Sequence, residues 1–168
     1  MFEETVLPHL DAAFNYARWL TRNDADAEDV VQDACMRAMR FFGALRDDNP
    51  RPWLFAIVRN TWYSRTARRS NLAEAPFDAT SDEVADEALD PEERLLQQQT
   101  VARVRAALEQ LPVDFREVIV LRELESLSYK EIAVVLRVPI GTVMSRLARA
   151  RERLAAVLRL ARCEEATR

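Results

Sequence analysis

The sequence predicts an all-α chain of two small helical domains joined by a flexible acidic linker. Three observations carry that prediction. Apolar residues recur at helical spacing along nearly the whole of the 168 residues. Strand signals are weak, because β-branched residues alternate over no convincing length and hairpin dipeptides are missing. Periodicity and charge balance both break once, near the middle of the chain.

Composition bounds what such a chain can do. Hydrophobic residues make up 49% and charged residues 31%, which supplies a core for one domain or two small ones. Gly43 and Gly141 are the only glycines and stand far apart, so a Gly-rich phosphate cradle is excluded. The single histidine, His9, removes His-based metal sites and most acid–base relays, so no metal, cofactor or enzymatic activity is expected. Cys35 and Cys163 form no C-x-x-C pair and suit a reducing compartment. The acidic start, Met1-Phe2-Glu3-Glu4, and the lack of a long apolar run lead to the expectation of a soluble, cytoplasmic protein.

The net charge of −4 hides three regions. Residues 1–70 balance 10 arginines against 10 acids; residues 71–100 carry 9 acids against Arg94; residues 101–168 carry 13 bases against 9 acids. The excess acid is therefore confined to the middle, and both flanks remain free to meet an acidic partner.

In the first module, residues 23–33 hold Asp24, Asp26, Glu28, Asp29 and Asp33 with no base among them. Val30, Val31, Ala34, Cys35, Ala38, Met39 and Phe42 then follow the spacing of one buried helical stripe, which makes Cys35 a packing residue. The stretch 51–69 interleaves aromatics with arginines. Trp53, Phe55, Trp62 and Tyr63 are candidates to stack on bases, though Phe55 fits a core position better, while Arg51, Arg59, Arg65, Arg68 and Arg69 would track phosphates. Phe55 and Ile57 read as core, and Asn60 is a candidate reader of a base edge. Residues 71–91 then lose periodicity around Pro76 and Pro91, as expected of a linker too poor in apolar residues to offset its ordering entropy.

The second module opens with Val101, Val104, Leu108 and Leu111 on one helical face, stopped by Pro112. Its strongest signal follows. Ser128-Tyr129-Lys130-Glu131 has the form of a capping box, leading a short helix whose Ile132, Ala133 and Leu136 turn inward. Arg137-Val138-Pro139 ends that helix, and a left-handed turn at Arg137 would carry about 1 kcal/mol of strain. A second helix presents Val143, Leu147, Ala150 and Leu154 inward and Thr142, Ser145, Arg146 and Arg149 outward. Cap, short helix, three-residue turn and basic second helix together predict a DNA-binding helix-turn-helix.

Two blocks carry a resemblance to a family. Asp26-Ala27-Glu28-Asp29-Val30-Val31-Gln32-Asp33 with Trp53-Leu54-Phe55-Ala56-Ile57-Val58-Arg59-Asn60 resembles region 2 of bacterial sigma-70-family factors. Leu127-Ser128-Tyr129-Lys130-Glu131-Ile132-Ala133, with Gly141-Thr142-Val143-Met144-Ser145-Arg146-Leu147-Ala148-Arg149-Ala150-Arg151, resembles region 4. A chain of these two regions resembles the extracytoplasmic-function group.

The resemblance implies a region 2 domain over 1–70, a linker over 71–94, a region 4 domain over 95–163 and a tail over 164–168. It implies docking of Asp26, Glu28, Asp29, Gln32, Asp33, Arg37 and Arg40 on the β′ clamp helices of core RNA polymerase, with the β flap a further contact. Binding and opening of promoter DNA at the −10 element would fall to Trp53, Arg59, Asn60, Trp62, Tyr63, Arg65, Arg68 and Arg69. Reading of the −35 element would fall to Thr142, Met144, Ser145, Arg146, Ala148, Arg149, Arg151 and Arg153. A partner anti-sigma factor is a further implication. Arg137 stands where the family usually has glycine, and Met144 where a base is common, so the −35 sequence stays open. The rival reading, a stand-alone helix-turn-helix regulator, leaves the acidic helix and the aromatic–basic stretch unexplained. The acidic linker is also expected to shield the arginine faces in the free protein.

Overall fold

The computed structural model describes residues 1–46, 48–69 and 90–167, and among them every regular element is helical. The shielding expected of the acidic linker falls largely on residues outside that set.

The first half is built from α1 (Phe2–Val6), α2 (Leu10–Thr21), α3 (Asp24–Phe41) and α4 (Pro50–Arg69). Short 3₁₀ turns at Leu7–His9 and Phe42–Ala44 join α1 to α2 and end α3. Buried Ala13, Tyr16, Ala17 and Leu20 on α2 have the i, i+3, i+4, i+7 spacing of one helical face. That helix ends where Arg22 turns left-handed at φ 60° and its amide donates to the Arg18 carbonyl at 2.8 Å. Asn23 then caps α3 by accepting the Asp26 amide at 3.0 Å, and Asp24 and Asp26 complement the positive end of the helix dipole. Val30, Ala34 and Ala38 of the expected α3 stripe are buried, and Cys35 is half-buried. Met39 is not: it is 63% exposed, so the stripe is narrower than periodicity suggests. On α4, Phe55 and Val58 are fully buried, while Ile57 is half-buried against the core.

The second half comprises α5 (Pro91–Gln110), α6 (Val113–Ile119) with a π turn at Val120–Leu124, α7 (Tyr129–Leu136) and α8 (Ile140–Ala166). Pro91 opens α5, where its missing N–H is not needed, so the helix starts inside the stretch assigned to the linker. At the other end, α8 runs to Ala166, past the expected limit at 163. Leu108 and Leu111 are buried as expected, but Val101 and Val104 stay exposed because the N-terminal part of α5 lacks cover.

The halves close on each other. α2 meets α6, and α4 meets α7. The buried side chains of both halves form one cluster that includes Val6, Tyr16 and Phe55 as well as Val118, Ile132 and Leu147.

Candidate nucleic-acid interface

The helix-turn-helix forms as its local sequence dictates. Ser128 Oγ accepts the Glu131 amide at 3.1 Å, and the Glu131 carboxylate accepts the Ser128 amide at 3.4 Å, completing the capping box. α7 ends at Arg137, left-handed at φ 55° and ψ 46°, in the conformation that glycine would adopt more cheaply. Pro139 is the N-cap of α8, and its carbonyl accepts the amides of Thr142 and Val143 at 3.0 and 3.2 Å.

Val143, Leu147 and Ala150 bury one face of α8, and Leu154 packs half-buried beyond them. At 100° per residue, Thr142, Ser145, Arg146, Arg149 and Arg153 fall on one outward stripe. Met144, Ala148 and Arg151 form a second exposed stripe on the opposite flank. Ser145, Arg149 and Arg153 are exposed, and Thr142 and Arg146 are half-buried. Arg151 donates to Glu123 at 2.6 Å, so it is held against the π turn rather than projecting outward alone.

The aromatic–basic helix α4 looks different from its sequence-based reading. Trp53 is half-buried against Phe42, with ring centroids 6.5 Å apart, and Trp62 packs against the core and Tyr63. These rings contribute to the fold as well as lining a surface. Asn60 is half-buried on the same helix. Arg65 bridges two acids of α3, Asp33 at 2.7 Å and Asp29 at 3.7 Å, and Arg69 reaches Asp26 at 3.1 Å. The structure therefore pairs residues expected to meet polymerase with residues expected to meet DNA. Each pair is solvent-accessible and worth at most about 1 kcal/mol, so a competing partner can displace it. Glu28, Gln32 and Arg40 are exposed on α3, and Arg37 is half-buried; Arg68 is exposed on α4.

The largest departure concerns Arg59. Its guanidinium stacks over Tyr63 at 4.5 Å and crosses to α6, where it donates three times to the Glu117 carboxylate at 3.1–3.3 Å. Tyr16 donates to the same carboxylate at 3.3 Å. Burial pushes the Glu117 carboxyl above its ordinary range, with Arg59 and Tyr16 pulling it back. Burial also works against the charge of Arg59, but Glu117 holds that guanidinium above its usual value. The Tyr16 hydroxyl is pushed well up by its own burial and by the negative charge beside it.

A second arginine of α4 makes the same crossing. Arg51 donates to the Glu125 carbonyl at 2.9 Å and to its carboxylate at 3.3 Å, and Asn49 reaches Glu131 at 3.3 Å. Sequence reasoning missed Tyr16, Glu117 and Glu125. One signal was present: Glu117 stands in the apolar run around Val118, Ile119, Val120 and Leu121, where an acid needs a partner.

Among the described residues no cluster of His, Cys, Asp and Glu is suited to a metal, and no helix is long and apolar enough to cross a membrane.

Comparison with known proteins adds independent observations. Residues 5–71 match the family described as Sigma-70 region 2, and residues 102–154 match Sigma-70, region 4. The chain is 33% identical over 153 residues to the ECF RNA polymerase sigma factor SigE of Mycolicibacterium smegmatis, covering 91% of this chain and 60% of that one. It is 38% identical to the RNA polymerase sigma-H factor of Pseudomonas aeruginosa, covering 76% of this chain and 70% of the relative. For the ECF RNA polymerase sigma-E factor of Escherichia coli, the identity is 37%, with 76% and 71% covered. Among solved structures, the sigma factor RpoE of Bartonella quintana, in complex with the anti-sigma factor NepR, superposes with a TM-score of 0.75 at 29% identity, covering 94% and 96% of the two chains. CnrH, in complex with the cytosolic domain of CnrY, gives 0.66 at 28% identity, covering 95% and 88%.

Proposed function

The chain belongs to the sigma-70 family, in its extracytoplasmic-function group, and from that premise we propose that it docks on core RNA polymerase and directs it to promoters with matching −10 and −35 elements. Membership ties the chain to polymerase-associated transcription initiation; the division of labour among its helices is our reading. The exposed side of α3, with Asp26, Glu28, Asp29, Gln32, Asp33, Arg37 and Arg40, takes the β′ clamp helices, and the second half takes the β flap. α4 holds the −10 strand through Arg59, Asn60, Arg65, Arg68 and Arg69, with Trp53, Trp62 and Tyr63 as its aromatic wall. α8 enters the −35 major groove, its stripe from Thr142 to Arg153 facing base edges and phosphates, with Met144, Ala148 and Arg151 on the flank.

The observation that carries the reading is the α7–α8 pair. The capping box starts α7, the left-handed turn at Arg137 ends it, and Pro139 then opens α8, whose outward stripe is polar and basic, which is what a groove-reading helix requires. Bond formation belongs to the polymerase in this scheme. A regulator of the anti-sigma class is the expected partner, because both aligned solved relatives are described in complexes, RpoE with the anti-sigma factor NepR and CnrH with CnrY. Activity in the cytoplasm follows from the same role.

Co-elution with bacterial core RNA polymerase tests this. Asp29, exposed on α3 beside Arg65, supplies the probe. The wild-type chain is expected to co-elute and Asp29→Arg to be lost from the complex while keeping its double-stranded −35 binding. Failure of the wild type to associate would leave the stand-alone regulator as the better account; full association of the variant would remove α3 as the docking face.

A further inference from the structure

We propose that Glu117 and Glu125 form an autoinhibitory latch: acids of the second half that occupy Arg59 and Arg51 of α4 as internal stand-ins for DNA phosphates and hold the free chain closed. The proposal rests on the reading of α4 as the −10 helix.

The geometry supplies the argument. An arginine binds a phosphate as it binds a carboxylate, through paired N–H donors on two oxygens. Arg59 presents that fork to Glu117 with Nε and Nη2, and Arg51 presents Nη2 to the Glu125 carboxylate and carbonyl. Neither arginine can hold a DNA phosphate in the same way while so engaged. The two acids also differ from ordinary surface partners. Glu117 is 0% exposed and Glu125 is 9% exposed; Glu117 lies on α6 and Glu125 directly follows the π turn, and both of these elements meet α2 across the seam. Glu117 gains nothing from solvent in the closed state, so its three bonds to Arg59 and the one from Tyr16 are what allow it to be buried there. When the halves part, the carboxylate regains water and Arg59 is released, so opening and arming α4 are one event. Core polymerase, binding the two halves at separate sites, would supply the energy for opening.

The design is specific to charge placement rather than to charge excess. Asp114 lies on the same short helix, three residues before Glu117, but is exposed and does not hydrogen-bond Arg59. It therefore serves as a control for charge: Glu117→Lys and Asp114→Lys change the net charge equally, yet only the first removes the carboxylate that Arg59 holds, Asp114 acting on Glu117 through its charge alone.

The test compares wild-type, Glu117→Lys and Asp114→Lys full-length chains, without polymerase, by small-angle X-ray scattering and by binding of a labelled single-stranded −10 oligonucleotide. Glu117→Lys is expected to enlarge the radius of gyration and to bind the strand about tenfold more tightly than Asp114→Lys, since breaking a buried pair far exceeds one added cation. Glu125→Lys, at the rim of the seam, should move both readouts in the same direction by less, and circular dichroism reports whether each variant keeps its helices. A Glu117→Lys chain that stays as compact as the control, or that opens without gaining affinity, overturns the latch. Strand binding by wild-type holoenzyme is measured beside it. If that binding is absent, the reading of α4 fails, whereas scattering still decides whether Glu117 holds the halves together.

Discussion

Replacing Arg59 by Met should be among the most damaging single changes in this protein, and Glu117→Gln should repair much of the damage. Among the described residues, Arg59→Met leaves the Glu117 carboxylate, 0% exposed, with only the Tyr16 hydroxyl as donor. Stripping one member from a buried ion pair costs about 3–5 kcal/mol, because the remaining charge keeps its desolvation penalty. Glu117→Gln alone is milder. Its amide oxygen still accepts from Tyr16 or Arg59, and Arg59, with 16% of its side chain exposed, can swing toward water. Only the charge-assisted part of the bonds is lost, about 1 kcal/mol. In the double variant no charge is left buried, so stability should recover by about 2 kcal/mol relative to Arg59→Met.

The assay is denaturant unfolding of all four proteins followed by helical circular dichroism, repeated at several pH values. Glu117 already has a carboxyl raised above its ordinary 4.5 by burial, with Arg59, Tyr16, Tyr63, Asp114 and Arg116 as the charged or titratable groups around it. A folded-state value above the unfolded one means that the folded protein binds more protons, so its stability rises as pH falls from the folded value toward the unfolded one. Loss of Arg59 removes the main opposing influence. The Arg59→Met deficit should therefore be largest at neutral and alkaline pH and shrink as the solution is acidified toward about pH 5. Arg59→Met within about 1 kcal/mol of wild type at neutral pH, or a double variant no better than Arg59→Met, would refute the account of Glu117 as a buried charge dependent on Arg59.

Other expectations concern the second half. Arg149→Ala should weaken binding to duplex −35 DNA by about 1–3 kcal/mol and relax preference at one base pair if the side chain reads a base. If it touches phosphate alone, the loss is uniform across sequences and the salt slope drops by about one; unchanged affinity in a competition assay removes Arg149 from the site. Arg137→Gly relieves a left-handed non-glycine residue and should stabilise the chain by up to about 1 kcal/mol, seen as a melting temperature higher by about 2–4 °C. A melting temperature that falls would show that Arg137 contributes contacts worth more than its backbone strain.

Much of this protein was legible in its sequence because the relevant interactions are local. The capping box spans residues 128–131, the left-handed turn is one residue, and the buried stripe of α8 repeats within a single helix, so composition and spacing alone determined the helix-turn-helix and the all-α class. Periodicity also marked apolar arcs correctly in part, but it does not reveal whether a neighbour reaches them; Met39, Val101 and Val104 lie on such arcs and remain exposed. Tertiary structure alone decided how the two halves meet. Arg59 finds Glu117 58 positions away, and Tyr16 finds it 101 positions away, and no local pattern links residues at those distances. An arginine run reads from sequence as a surface open to DNA. Whether it is open depends on which acids the fold carries to it, because a buried carboxylate and a phosphate compete for the same donors.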